Sequence, residues 1–110
     1  MRDISEPETD ESKVRLAHYL DLLSDENPIN RWKGAVSLGR MGDSRATEAL
    51  INALSDDDDR VRLKTIWALG LMGDARAIGP LKNLYRYEND DTKQIIAEAL
   101  ETINRATSRQ

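Results

Sequence analysis

The sequence predicts an all-α superhelix: a short solenoid of about six antiparallel helices, with two full 31-residue repeats flanked by half repeats. Three observations carry this. The chain matches itself at an offset of 31, a Gly-Asp pair follows a helical pattern in each full repeat, and apolar residues recur at helical spacing.

The repeat is explicit. Residues 31–54 placed on 62–85 give eleven identities in 24 positions: Arg31/Arg62, Lys33/Lys64, Leu38/Leu69, Gly39/Gly70, Met41/Met72, Gly42/Gly73, Asp43/Asp74, Arg45/Arg76, Ala46/Ala77, Leu50/Leu81 and Asn52/Asn83. The register continues backwards, with Leu20 on Ile51 and Leu23 on Leu54, and forwards, with Ala68 on Ala99 and Leu69 on Leu100. It predicts helices over 12–23, 29–41, 45–54, 59–72, 76–86 and 91–104, within one repeat domain spanning 12–104.

Each element has a local reason. The first half repeat offers Leu16, Tyr19, Leu20 and Leu23 as a closing face, and the last offers Ile96, Ala99, Leu100 and Ile103. Gly42-Asp43 and Gly73-Asp74 pair a C-terminal glycine with a capping carboxylate. Pro28 and the run Asp56–Asp59 mark longer loops, the last aspartates capping the next helix, and Pro80 falls in the first turn of its own. Residues 1–11, which are acidic, and 105–110 lack periodicity and read as mobile tails.

Composition agrees. Aromatics make up 5% and Phe is absent, so Leu, Ala, Ile and Met must fill thin helical layers. No cysteine is present, which excludes a disulfide framework, a thiolate metal site and a cysteine nucleophile. No apolar run approaches the roughly 20 residues that span a bilayer, and the first ten residues are too acidic for a secretory signal. These features point to a soluble cytoplasmic protein. The net charge of −4 disfavours a general nucleic-acid binder.

The run from Val61-Arg62 through Ala68-Leu69-Gly70-Leu71-Met72-Gly73-Asp74-Ala75-Arg76-Ala77-Ile78-Gly79-Pro80-Leu81 resembles the phycobilin-lyase type of HEAT-like repeat. The earlier copy, Ser37 to Ala46, keeps less of the pattern, with Asn30 and Ala49 at its Val and Pro positions; the later copy, Thr92 to Asn104, keeps Ala99-Leu100. The resemblance spans about 14–104 and implies the solenoid fold. The family includes chromophore lyase subunits, an iron hydroxylase of deoxyhypusine and plain interaction modules. The hydroxylase holds iron with paired His-Glu motifs, whereas this chain has only His18, followed by Tyr19. That activity is excluded on ligand count, and no cofactor or metal is expected.

Residues that tempt a catalytic reading have simpler roles. His18 is a lone boundary histidine. The Asp56–Asp59 run lacks the glycine turn and late glutamate of a calcium loop. Gly39-x-x-Gly42 and Gly70-x-x-Gly73 lack the strand and Lys-Ser/Thr of a phosphate loop. The recurring Arg31/Arg62, Asp43/Asp74 and Arg45/Arg76 suit a structural ladder between repeats.

A second apolar stripe is harder to dismiss. On helix 59–72, Val61, Thr65, Ala68, Leu69 and Met72 form the core face, while Leu63, Trp67 and Leu71 line another side, flanked by Arg60 and Lys64. The matching row on helix 29–41 is Trp32, Val36 and Arg40, flanked by Lys33; on helix 91–104 it is Gln94, Glu98 and Thr102, beside Asp91. The resemblance implies that this row lies on the inner, concave face where such proteins bind partners. Trp32, Lys33, Val36, Arg40, Arg60, Leu63, Lys64, Trp67 and Leu71 are therefore the candidate partner-binding residues. The expectation is a non-catalytic module for a protein or peptide, with a homodimer as a further possibility. The alternatives are an accessory subunit of a chromophore lyase or isomerase, and weak single-stranded nucleic-acid binding through the tryptophans and basic residues.

Overall fold

The computed structural model describes the backbone of residues 5–108 and the side chains of residues 11–108. Among these residues the chain forms six α-helices: α1 Ser5–Leu23, α2 Pro28–Met41, α3 Thr47–Ala53, α4 Asp59–Met72, α5 Ile78–Tyr85 and α6 Asp90–Ser108. Short 3-10 turns, Ser44–Ala46 and Ala75–Ala77, lead into α3 and α5.

The punctuation follows the sequence. Asn27 caps α2 by accepting from Ile29 N–H, and Asp58 caps α4 by accepting from Arg60 and Val61 N–H. Gly42 and Gly73 end α2 and α4 in the left-handed conformation, at φ 69° and 68°, where an L side chain is strained. Pro80 sits in the first turn of α5. Helix covers part of the segments expected to be mobile tails, 1–11 and 105–110. α1 begins at Ser5 and α6 runs to Ser108, while residues 1–4 and 109–110 of those tails lie outside the described residues. Neither extension needs an apolar period. At the far end of α6, Arg105 pairs with Glu101 one turn back, at 3.2 Å.

Helices α2, α4 and α6 lie side by side, with α1, α3 and α5 packed across them as a second layer. Small residues set the spacing. A Cβ built on Gly39 would lie 2.7 Å from Ala68 Cβ, and one on Gly70 would lie 3.0 Å from Ala99 Cβ. Both pairs stand one repeat apart, so the same contact recurs at each step. Gly34 meets the backbone of α1 in the same way, 2.7 Å from Leu23 N and 2.9 Å from Tyr19 O.

The core is one continuous cluster of repeat-equivalent residues: Leu38 and Leu69, Ala46 and Ala77, Leu50 and Leu81, all fully buried, with Ile96 and Ile103 at the α6 end. Of the predicted core face of α4, Val61, Thr65, Ala68 and Leu69 are inaccessible and Met72 is half-buried against the cluster. Ile66 and its equivalent Ala35 are buried as well. The central helix is covered by both neighbours in its layer and by the layer behind, so more of its circumference is buried than one stripe implies.

Candidate functional site

Charged side chains tie the repeats at both ends of the helices. Arg31 Nη1 donates to the carbonyls of Asp25 and Glu26 at 3.0 and 2.8 Å, while its Nε reaches Asp56 of the next loop at 2.8 Å. Arg62 repeats this, donating to the Asp56 carbonyl at 2.7 Å and pairing with Glu88 at 3.0 Å and with Asp59. At the Gly-Asp ends, Arg45 pairs with Asp43 and Arg76 with Asp74. Asp74 also accepts from Thr47 Oγ1 at 2.9 Å, and Arg76 donates to the Ser44 carbonyl at 3.0 Å. The Arg76 guanidinium, its backbone N–H and the Thr47 hydroxyl hold the Asp74 carboxyl at a pKa of about 2. These groups are committed to architecture. His18 is exposed and tilts against Tyr19, with ring centroids 5.7 Å apart.

The second stripe lies across α2, α4 and α6. Trp67 and Leu71 are 41% and 53% exposed, one turn apart on the central helix. Beside them a groove of about 220 Å³ runs between α4 and α6, floored by Gly70 and Ala99 and walled by Ile95, Glu98 and Thr102. The close approach at Gly70 brings Ile95 and Glu98 beside Trp67. Leu63 is half-buried and faces a separate cleft with Arg62, Glu88, Asp91, Thr92 and Ile95.

On α2, Trp32 and Val36 are half-buried. Trp32 lies under the Lys64 ammonium, 5.6 Å from the ring centroid, a cation–π contact linking α2 to α4. Lys33 and Arg40 are exposed and make no ion pair among the described residues. Arg40 borders a second cleft with Ser12, Arg15, Tyr19, Ser37 and Asp43, between α1 and α2. Arg60 is tied to Asp58 at 2.9 Å and adds little free charge.

The structure thus gathers Trp67, Leu71 and Lys64 at the centre of the face and Lys33, Val36 and Arg40 at its α2 side. It folds Trp32 under Lys64 and turns Leu63 towards the N-terminal ends of α4 and α6. Ile95 was missed by the stripe reading. Its signal was present, because it is an apolar residue at the position that holds Lys33 and Lys64 in the other repeats.

The model of HEAT repeats matches residues 16–101, which take in both full repeats and most of the flanking helices. The chain belongs to the HEAT-repeat family. HEAT repeats are commonly protein-interaction scaffolds, and the fold is generally non-catalytic. No curated protein matches the chain. Among the described residues no helix is long and apolar enough to cross a membrane. In this HEAT solenoid the outer layer carries its own shallow grooves, Leu20 to Asp56 between α1 and α3 and Ile51 to Tyr87 between α3 and α5, again one repeat apart.

Proposed function

We propose that this HEAT-repeat chain is a docking module that engages a protein through the α2–α4–α6 face, and that it stands within the phycobilin-lyase-like branch of the family. The branch rests on the Leu-Gly-x-Met-Gly-Asp-x-Arg-Ala run at 38–46 and 69–77. One observation carries the docking reading. Trp67 and Leu71 stand exposed together beside the groove that Ile95 and Glu98 wall, on a helix whose other sides are packed. Tryptophan in a partly formed pocket is the kind of residue that concentrates interface energy. Lys33, Lys64 and Arg40 give the face a cationic side and form no ion pair among the described residues.

Glu98 favours a protein over a nucleic acid as the ligand. Its carboxylate borders the pocket in which Trp67 would have to stack a base, and it would repel the phosphate.

A photoreactive side chain placed at Leu71, with Asn83 of the outer layer as control, tests the reading. Irradiation in cells is expected to yield protein adducts at position 71, lost when Trp67→Ala is added, and few at position 83. Equal labelling at the two positions, or adducts indifferent to Trp67→Ala, overturns it.

A further inference from the structure

We propose that the occupant of this face is a second copy of the chain, related by a two-fold axis parallel to α4; the inference rests on the docking reading above. Each step between the side-by-side helices has the same register, Gly39 meeting Ala68 and Gly70 meeting Ala99, so a residue is level with the one 29 positions on, and repeat-equivalent residues are offset by about 3 Å per step. The repeat-equivalent rows on the face are Trp32–Leu63–Gln94, Val36–Trp67–Glu98 and Arg40–Leu71–Thr102. Read along a row, the chemistry passes from apolar and basic on α2, through apolar on α4, to acidic and polar on α6.

Two faces in contact have their two-fold axis in the plane between them. An axis running across the helices would set α2 on α2 and α6 on α6, bringing the Lys33 and Arg40 cations of one copy against those of the other and the α6 carboxylates against their counterparts. An axis along the helices sets α2 against α6 of the partner and α4 against α4. Trp67 and Leu71 then meet their own copies at the axis. Glu98 then comes to the height of Arg40, and Asp91 to that of Lys33, so each of these α2 cations meets a carboxylate on α6 of the partner copy. Charge selects this second arrangement. Lys64 would come near its counterpart, but its ammonium is held over Trp32, towards α2.

The area is adequate. Helices of 14 residues are about 21 Å long, and three at a spacing of about 9 Å offer roughly 500–600 Å² per copy, or about 1,100 Å² in all. That is the low end for a specific interface and fits a reversible, salt-sensitive dimer.

Sedimentation of the full chain from about 1 µM to a few hundred µM tests this. A concentration-dependent dimer is expected. Glu98→Lys alone, and Lys33→Glu with Arg40→Glu, should each weaken it at least tenfold with helical content unchanged. An equimolar mixture of the two variants should restore it, since each copy then supplies the charge the other lacks. The milder Glu98→Gln, or added salt, should weaken it in the same direction. A dimer indifferent to these changes, or a mixture that stays monomeric, overturns the proposal. If the native chain is monomeric throughout while position 71 still cross-links to a different protein, the self-association fails and the docking reading stands.

Discussion

Asp74 shows how one side chain can serve both a helix end and the next repeat. It caps the Ala75–Ala77 turn, pairs with Arg76 and accepts from Thr47 of the preceding repeat. Its pKa of about 2 lies below the ordinary value of 3.8, so the native state holds the carboxylate more tightly than the unfolded chain does. A depressed carboxyl stabilises above its unfolded pKa and loses that stability as pH falls through the folded one. The contribution is therefore complete at neutral pH and fades between about pH 4 and 2. Arg76 is half-exposed and its share is screened, so Asp74→Asn should cost about 1–2 kcal/mol at pH 7. Urea melts at pH 7, 4 and 2.5 should show the gap to the native chain closing as pH falls. A pH-independent gap would mean that the Asp74 charge contributes nothing.

At the scale of the helix, glycine is set by what each face must approach. Alanine is the better helix former by about 1 kcal/mol, yet Gly39→Ala would push a methyl to 2.7 Å from Ala68 Cβ and 2.8 Å from its Cα. The two helices must separate, and the expected outcome is a net loss of about 1–3 kcal/mol. Gly79, exposed in the first turn of α5, meets nothing within 4 Å. Gly79→Ala gains helix propensity but places a Cβ before Pro80, which disfavours the helical conformation there, so its net effect should lie within about 0.5 kcal/mol of zero. Thermal melts should therefore show a clear drop for Gly39→Ala and little change for Gly79→Ala. The sequence announces this difference only in part. Gly39 and Gly70 repeat at the 31-residue period, whereas Gly79 aligns with Glu48, which marks the first two as structural. Helix positions were legible for the same reason, since period, caps and apolar spacing agree at each boundary from Pro28 to Asp90. The ends were not, because the residues before 12 and after 104 carry no apolar period to mark where α1 begins and α6 stops. The stripe was legible as a row but not as a surface. Whether Trp32 stands free depends on the reach of Lys64 from the next helix, and the pocket beside Trp67 depends on Ile95 and Glu98, brought in across the Gly70–Ala99 contact. Helical periodicity describes one helix at a time and is blind to such pairings.

Across the whole molecule, each repeat leans on the next. α4 touches α2 on one side, α6 on the other and α3 behind, whereas α1 packs mainly on α2. Glu101 stands on α6 where Gly39 and Gly70 admit a following helix, so a further helix cannot seat by the same contact. Solenoid stability is close to a sum of repeat and nearest-neighbour terms, and the term lost by a core deletion grows with the number of neighbours it touches. Leu69, fully buried in the central repeat, and Leu16, near the end of the core cluster, make the comparison. Leu69→Ala should cost about 2–5 kcal/mol and lower one transition seen alike by far-ultraviolet dichroism and tryptophan fluorescence, because Trp67 shares its helix. Leu16→Ala leaves α2 to α6 joined by the Gly39–Ala68 and Gly70–Ala99 contacts and by the Arg31–Asp56 and Arg62–Glu88 pairs. Its cost should be smaller and fall on α1. Hydrogen exchange should then show α1 amides opening well before those of α4, which exchange only when the whole chain unfolds. Equal acceleration of α1 and α4 by Leu16→Ala would mean that the solenoid has no weaker end and unfolds as a single indivisible unit.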